Sequence, residues 1–134
     1  MGPVRMEHFL VLTDDIDGTR DFYCSTLGMR DGFRPDLGFP GYWVYLGDVP
    51  AVHIAEHQPY IKWTAEVGIP ISTGGYGTGA LDHVAFNASD FDATLKHLQN
   101  LGIDLSFNIL DEISLRQIFL KDPNGLAIEL NFRA

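Results

Sequence analysis

Apolar and polar positions fall into two matching series along the chain. Residues 6–12 form an extended segment with His8 on one face and Phe9 and Val11 on the other; residues 80–87 set His83 against Val84 and Phe86 in the same way. Each segment leads into a helical pattern, about 15–26 and about 90–100. Ile16, Phe22 and Tyr23 form an apolar stripe in the first, and Phe91, Leu95 and Leu98 in the second. Asp14 and Ser89 are the expected N-caps, and Ser89-x-x-Asp92 resembles a capping box. Gly28 and Gly102 stop the helices. Three strands follow in each half: about 29–34, 42–46 and 51–55, then 104–110, 115–121 and 126–132. Asp122-Pro123-Asn124-Gly125 is a strong turn signal, and Gly47-Asp48-Val49-Pro50 fills the equivalent slot.

The two series keep a common register. His8-Phe9-Leu10-Val11 corresponds to His83-Val84-Ala85-Phe86 at an offset of 75, Leu27-Gly28-Met29 to Leu101-Gly102-Ile103 at 74, and Val52-His53-Ile54 to Ile128-Glu129-Leu130 at 76. A drift of one residue either way indicates a duplicated unit. The expectation is an α+β fold: one domain over 1–134 built from two β-α-β-β-β modules, about 5–57 and 80–134. The linker, about 58–79, is aperiodic and ends in the glycine-rich Ser72-Thr73-Gly74-Gly75-Tyr76-Gly77-Thr78-Gly79. No Gly-Lys-Ser/Thr follows, so this is not a phosphate loop.

Strand parity then selects residues with chemistry. In the last strand Ile128, Leu130 and Phe132 face one way, toward the helices, and Ala127, Glu129 and Asn131 the other. His83, Ala85 and Asn87 share the non-helix face of their own strand. The duplicated register puts His8, His53, His83 and Glu129 at the four equivalent positions, all competent ligands for a divalent metal. A two-fold pseudo-axis between the modules would bring them together. Glu56 competes with His53 but has the opposite parity, and His57 falls past the strand end. Trp43, Tyr45, Gln117 and Phe119 have repeat-related parity and are the expected pocket lining; Gln117 either orients a substrate or is an exposed strand residue. The aromatic group Phe33, Phe39, Tyr42, Trp43 and Tyr45 is either a substrate wall or core packing. His97, on the second helix, is expected at the surface.

Composition narrows the function classes. At 134 residues and 46% hydrophobic content the chain can bury a proper core. A net charge of −9, with arginines scattered, argues against nucleic-acid and membrane-surface partners. Cys24 cannot form an internal disulfide and reads as a buried small hydrophobe. With no long apolar run and no signal-peptide pattern at Met1–Glu7, a cytoplasmic location is the default.

His8, Phe22-Tyr23-x3-Leu27-Gly28-Met29, His83-Val84-Ala85-Phe86 and Asp122-Pro123-Asn124-Gly125-x3-Glu129-Leu130 together resemble the vicinal oxygen chelate superfamily, which groups glyoxalases, bleomycin-resistance proteins and extradiol dioxygenases. The resemblance covers nearly the whole chain. It implies a curved, cup-like mixed sheet with helices outside, commonly in a homodimer, and one divalent metal ion (Fe, Mn, Ni, Zn or Co). His8, His83 and Glu129 match the family's two-His-one-carboxylate trio; His53 stands where glyoxalase I has Glu. The implied activity is a glyoxalase-like lyase or isomerase acting on an oxygen-chelating substrate through a metal-stabilised enediolate, with Glu129 or His53 as base. If His53 is not a ligand, the remaining trio suits Fe(II) extradiol cleavage of catechols. A non-catalytic, drug-binding protein is the third reading.

Overall fold

The computed structural model describes residues 1–72 and 77–133. The chain divides into two compact units, Met1–Tyr76 and Gly77–Ala134. Each contains one four-stranded mixed sheet with helices, an α+β arrangement as expected.

In the first unit, β1 (Phe9–Thr13) leads through α1 (Ile16–Asp21) and a π-helical turn (Phe22–Thr26) to β2 (Arg30–Gly32), β3 (Gly41–Leu46) and β4 (Val49–Glu56). The sheet order is β1-β4-β3-β2, with β1 parallel to β4 and the other pairs antiparallel. Val11, Tyr23, Val44, Val52 and Ile54 are buried beneath the helical segment. Their parity sends His8, His53, Trp43 and Tyr45 to the opposite face.

The second unit repeats this order. β5 (His83–Ala88), α3 (Phe91–Asn100), β6 (Ser106–Leu110), β7 (Leu115–Lys121) and β8 (Ala127–Arg133) give the sheet β5-β8-β7-β6, again with its first pair parallel. Leu98, Ile118, Leu120, Ile128, Leu130 and Phe132 form its core. The Asp122 carboxylate accepts the Asn124 and Leu126 amides at 2.8 and 3.0 Å, closing the predicted turn between β7 and β8.

Two local expectations are corrected and one open alternative is narrowed. The caps are Asp15 and Asp90, each one residue later than predicted: Asp15 Oδ1 accepts from the Gly18 amide at 2.9 Å and Asp90 Oδ1 from the Ala93 amide at 3.1 Å. Aspartate caps well by reaching the amide three residues on, which Asp14 and Ser89 would do one residue too early. Residues 57–67, read as part of an aperiodic linker, form α2 (His57–Val67), with Pro59 in its first turn and Gly68 in the left-handed conformation at its end. Finally, of the aromatic group read as either a substrate wall or core packing, Tyr42 separates from Trp43 and Tyr45, since its parity is that of the helix face; its hydroxyl donates to Asp17 and Arg20 lies 4.5 Å over its ring. Residues 73–76 of the glycine-rich stretch lie outside the described residues. Among the described residues no helix is long and apolar enough to cross a membrane.

Candidate metal centre

The first unit brings His8 and His53 together. His8 precedes β1 and His53 lies mid-β4, where the register pairs it with Leu10 on one side and Trp43 on the other. Because β4 runs between β1 and β3, the His53 imidazole is enclosed on both faces. His8 stacks on it with ring centroids 3.7 Å apart and planes 7° apart; Trp43 stacks at 4.2 Å and 14°. This burial, followed by the repulsive His8 ring, pulls the His53 pKa down to about 4, so the ring is neutral near pH 7.

The nearby Pro50 backbone opposes the downward shift. His53 Nε2 is buried and has no hydrogen-bond partner. Burying such an atom unpaired is costly, and a cation is the natural partner for it.

The other two histidines each have a carboxylate at Nδ1. His8 Nδ1 donates to Glu7 Oε1 at 3.0 Å and His83 Nδ1 to Asp82 Oδ2 at 2.8 Å. Fixing Nδ1–H with a carboxylate or carbonyl holds the ring and leaves Nε2 as the coordinating atom, the usual support for metal-bound histidine. His83 is half exposed, and its pKa is raised, chiefly by the Asp82 hydrogen bond and further by Glu129.

In the second unit, β5 and β8 pair so that Ala85 lies opposite Glu129 and His83 opposite Ala127, which puts His83 and Glu129 one diagonal step apart on one face. Glu129 is oriented by its neighbours. Asn131 donates to its Oε2 at 2.8 Å, and Gln117 donates to Asn131 Oδ1 at 3.0 Å. Phe119 lies opposite Glu129 on β7. Gln117 is thus the outer member of a polar chain ending on Glu129.

The four candidates accordingly form one pair in each unit. Among the described residues no group of three or more His, Cys, Asp or Glu side chains gathers within reach of one ion. The donor types, imidazole nitrogens and a carboxylate, suit a divalent metal, with Nδ1 of His8 and His83 and Oε2 of Glu129 already held by hydrogen bonds; the parallel His8 and His53 rings would have to part before both could aim Nε2 at one ion. His57 is buried at the start of α2, and Glu56 has the helix-face parity of β4, so neither displaces His53. His97 is exposed as expected. A groove of about 640 Å³ in the second unit, bordered by Ser89, Asp90, Asp92, Asp111 and Arg116, includes neither His83 nor Glu129.

Sequence reasoning overlooked Glu7, Asp82 and Arg34. The first two had a signal: the duplication repeats an acid-His dipeptide, Glu7-His8 and Asp82-His83, in register.

The family model described as Glyoxalase/Bleomycin resistance protein/Dioxygenase superfamily matches residues 5–130. The chain belongs to that superfamily. Within it, the chain is 24% identical to the uncharacterized protein YaeR of Escherichia coli K12, with 97% of each covered. It is 29% identical to the anthracycline biosynthesis protein DauV of Streptomyces sp. C5 over 84% of this chain, but spans only 41% of that protein. Among solved structures of this superfamily fold, lactoylglutathione lyase from Agrobacterium tumefaciens superposes with a TM-score of 0.71 at 18% identity, covering 98% of this chain and 96% of that one.

Proposed function

We propose that this superfamily member is a divalent-metal-dependent enzyme with His8, His53, His83 and Glu129 as its metal ligands, acting on a small, oxygen-chelating substrate in a glyoxalase-like lyase or isomerase reaction. The observation that carries this reading is the buried, unpartnered Nε2 of His53, its ring kept neutral by burial. His8 and His83 each have Nδ1 held by a carboxylate, which leaves Nε2 for coordination, and the duplicated register relates the pairs. A bound divalent ion supplies Lewis acidity toward two neighbouring substrate oxygens.

The chain's own groups supply the rest. Glu129, held at Oε2 by Asn131, keeps Oε1 for coordination and for accepting a proton from the substrate carbon. His53 is the second candidate base, in which case its Nε2 accepts the proton instead of coordinating. Trp43 and Tyr45 share the His53 face and give the substrate an apolar wall; Tyr45 is fixed by its hydroxyl donating to the Phe33 carbonyl at 2.7 Å and by Arg30 lying 4.7 Å over its ring. The reading takes the protein as a cytoplasmic homodimer with neither nucleic-acid nor membrane partners, which the net charge of −9 supports.

Metal analysis of anaerobically purified and reconstituted protein, paired with turnover of a hemithioacetal and oxygen uptake on catechols, tests the proposal. One ion per chain with isomerase or lyase turnover supports it. Iron with catechol-dependent oxygen consumption would replace it with ring cleavage, and failure to retain any metal would leave a binding protein.

A further inference from the structure

Arg34 sits in the loop between β2 and β3 with its charge largely uncompensated. Nη2 donates to the Phe39 carbonyl at 2.8 Å and the guanidinium lies 5.0 Å from the Phe39 ring centre, but Nε is buried without a partner. Among the described residues Arg34 forms no ion pair with a carboxylate within 4.0 Å, although the chain carries eighteen acidic side chains. A cationic N–H buried without a partner is a standing cost, only partly offset by the charge of Asp36 acting from a distance, and an anion meeting the guanidinium would relieve it.

Its position relative to the candidate metal ligands is fixed by the sheet. A Cβ placed on Gly41 would come within 3.2 Å of Arg34 Nη2, so the guanidinium lies against Gly41. Gly41 pairs with Ala55, one same-face step along β3 and β4 from the Trp43–His53 pair. The charge of Arg34 is felt at His53, where it contributes to the lowered pKa. Phe39, which Arg34 holds, packs edge-on against Tyr60 and tilted against Trp63, giving the cation an aromatic backing. Only the two nitrogens Arg34 Nε and His53 Nε2 are buried and unpartnered among the described side chains, and both belong to this one region.

We propose that Arg34 anchors a carboxylate of the substrate beside the oxygens presented to His8 and His53, making the substrate class small hydroxy or keto acids. The planar guanidinium suits a carboxylate because two parallel N–H groups can meet its two oxygens, which an ammonium cannot reproduce. A neutral chelator of the same shape would leave the cation as it stands. The identity of the substrate class rests on the metal-enzyme reading, whereas the carboxylate site is measured without metal.

The test is isothermal titration of metal-free protein at physiological ionic strength with mandelate and with its neutral isostere mandelamide. Wild type is expected to prefer mandelate by roughly tenfold or more, the discrimination worth about one charge-assisted contact. Arg34→Gln should abolish that preference while leaving mandelamide binding unchanged, and Arg34→Lys should retain part of it, keeping the test open if the Gln variant folds poorly. Equal binding of the two probes, no binding of either to wild type, or a preference that survives Arg34→Gln would overturn the proposal. Manganese titration of the same proteins, followed by electron paramagnetic resonance, reads the metal site separately: uptake unchanged in Arg34→Gln is expected, and absent uptake in wild type would count against the metal-enzyme reading alone.

Discussion

Asn131 stands two residues beyond Glu129 on the same face of β8 and donates its side-chain amide to Glu129 Oε2 at 2.8 Å, tying the carboxylate to its own strand. Supporting contacts of this kind are worth roughly 10- to 100-fold in metal affinity. Asn131→Ala should therefore weaken manganese binding by roughly tenfold. Gln117→Ala, one bond further out, should have a smaller effect. Paramagnetic resonance titration measures both, and an Asn131→Ala protein with wild-type affinity would remove this polar chain from the metal site.

Removing a proposed ligand should do more. His83→Ala or Glu129→Ala is expected to lower affinity by more than roughly 100-fold, beyond the range of supporting contacts. His53→Ala should match them if its buried Nε2 coordinates. Unchanged stoichiometry and affinity in His53→Ala would return the site to a two-His-one-carboxylate trio.

Acid sensitivity of the metal-free protein has a definite sign. The His53 pKa falls from 6.5 unfolded to about 4 folded, so between those values the unfolded chain binds a proton that the folded chain refuses. Stability from this group is fully present above pH 6.5 and declines as pH drops toward 4. Thermal midpoints recorded in chelator should fall across that window, and His53→Gln should flatten the fall. A slope identical in the variant would assign the acid sensitivity to other groups.

His83 behaves in the opposite sense. Its raised pKa, caused first by the Asp82 hydrogen bond, makes protons compete with metal at higher pH than for an ordinary imidazole. Asp82→Asn should move the pH midpoint of metal uptake downward, even if affinity at high pH also drops. A midpoint that stays in place would show that Asp82 does not set it.

Two glycines separate steric from backbone effects. A Cβ on Gly41 would meet the Ile54 carbonyl oxygen at 2.1 Å, so Gly41→Ala should cost roughly 2–3 kcal/mol through forced backbone movement. Gly28 has open space but φ of +77°, so Gly28→Ala should cost about 1 kcal/mol from conformation alone. Denaturant titrations of metal-free protein would expose a reversed order.

Much of this was legible in the chain because strand parity and duplication are both periodic signals. The faces of β4, β5, β7 and β8 followed from alternation alone, placing His53, His83, Gln117 and Glu129 on the sides observed. The helix α2 was missed because its Pro59 start and Gly68 stop frame a weakly amphipathic segment that shows little periodicity. Arg34 was invisible for another reason. Its significance depends on which partners it lacks, and that is settled only when the loop carrying it folds onto Gly41 and Phe39. The stacked rings likewise depend on β4 lying between β1 and β3, a neighbour relation that no single strand encodes.

The enclosed His53 ring has a kinetic consequence. An imidazole flanked by parallel rings at 3.7 and 4.2 Å cannot tip out of its plane without parting one of them; it can only pivot within it. Entropy that a free side chain would lose on capturing an ion is already lost in the fold. Joint coordination by His8 and His53 would require that stack to open, so capture of an ion there should be slower than at the half-exposed His83.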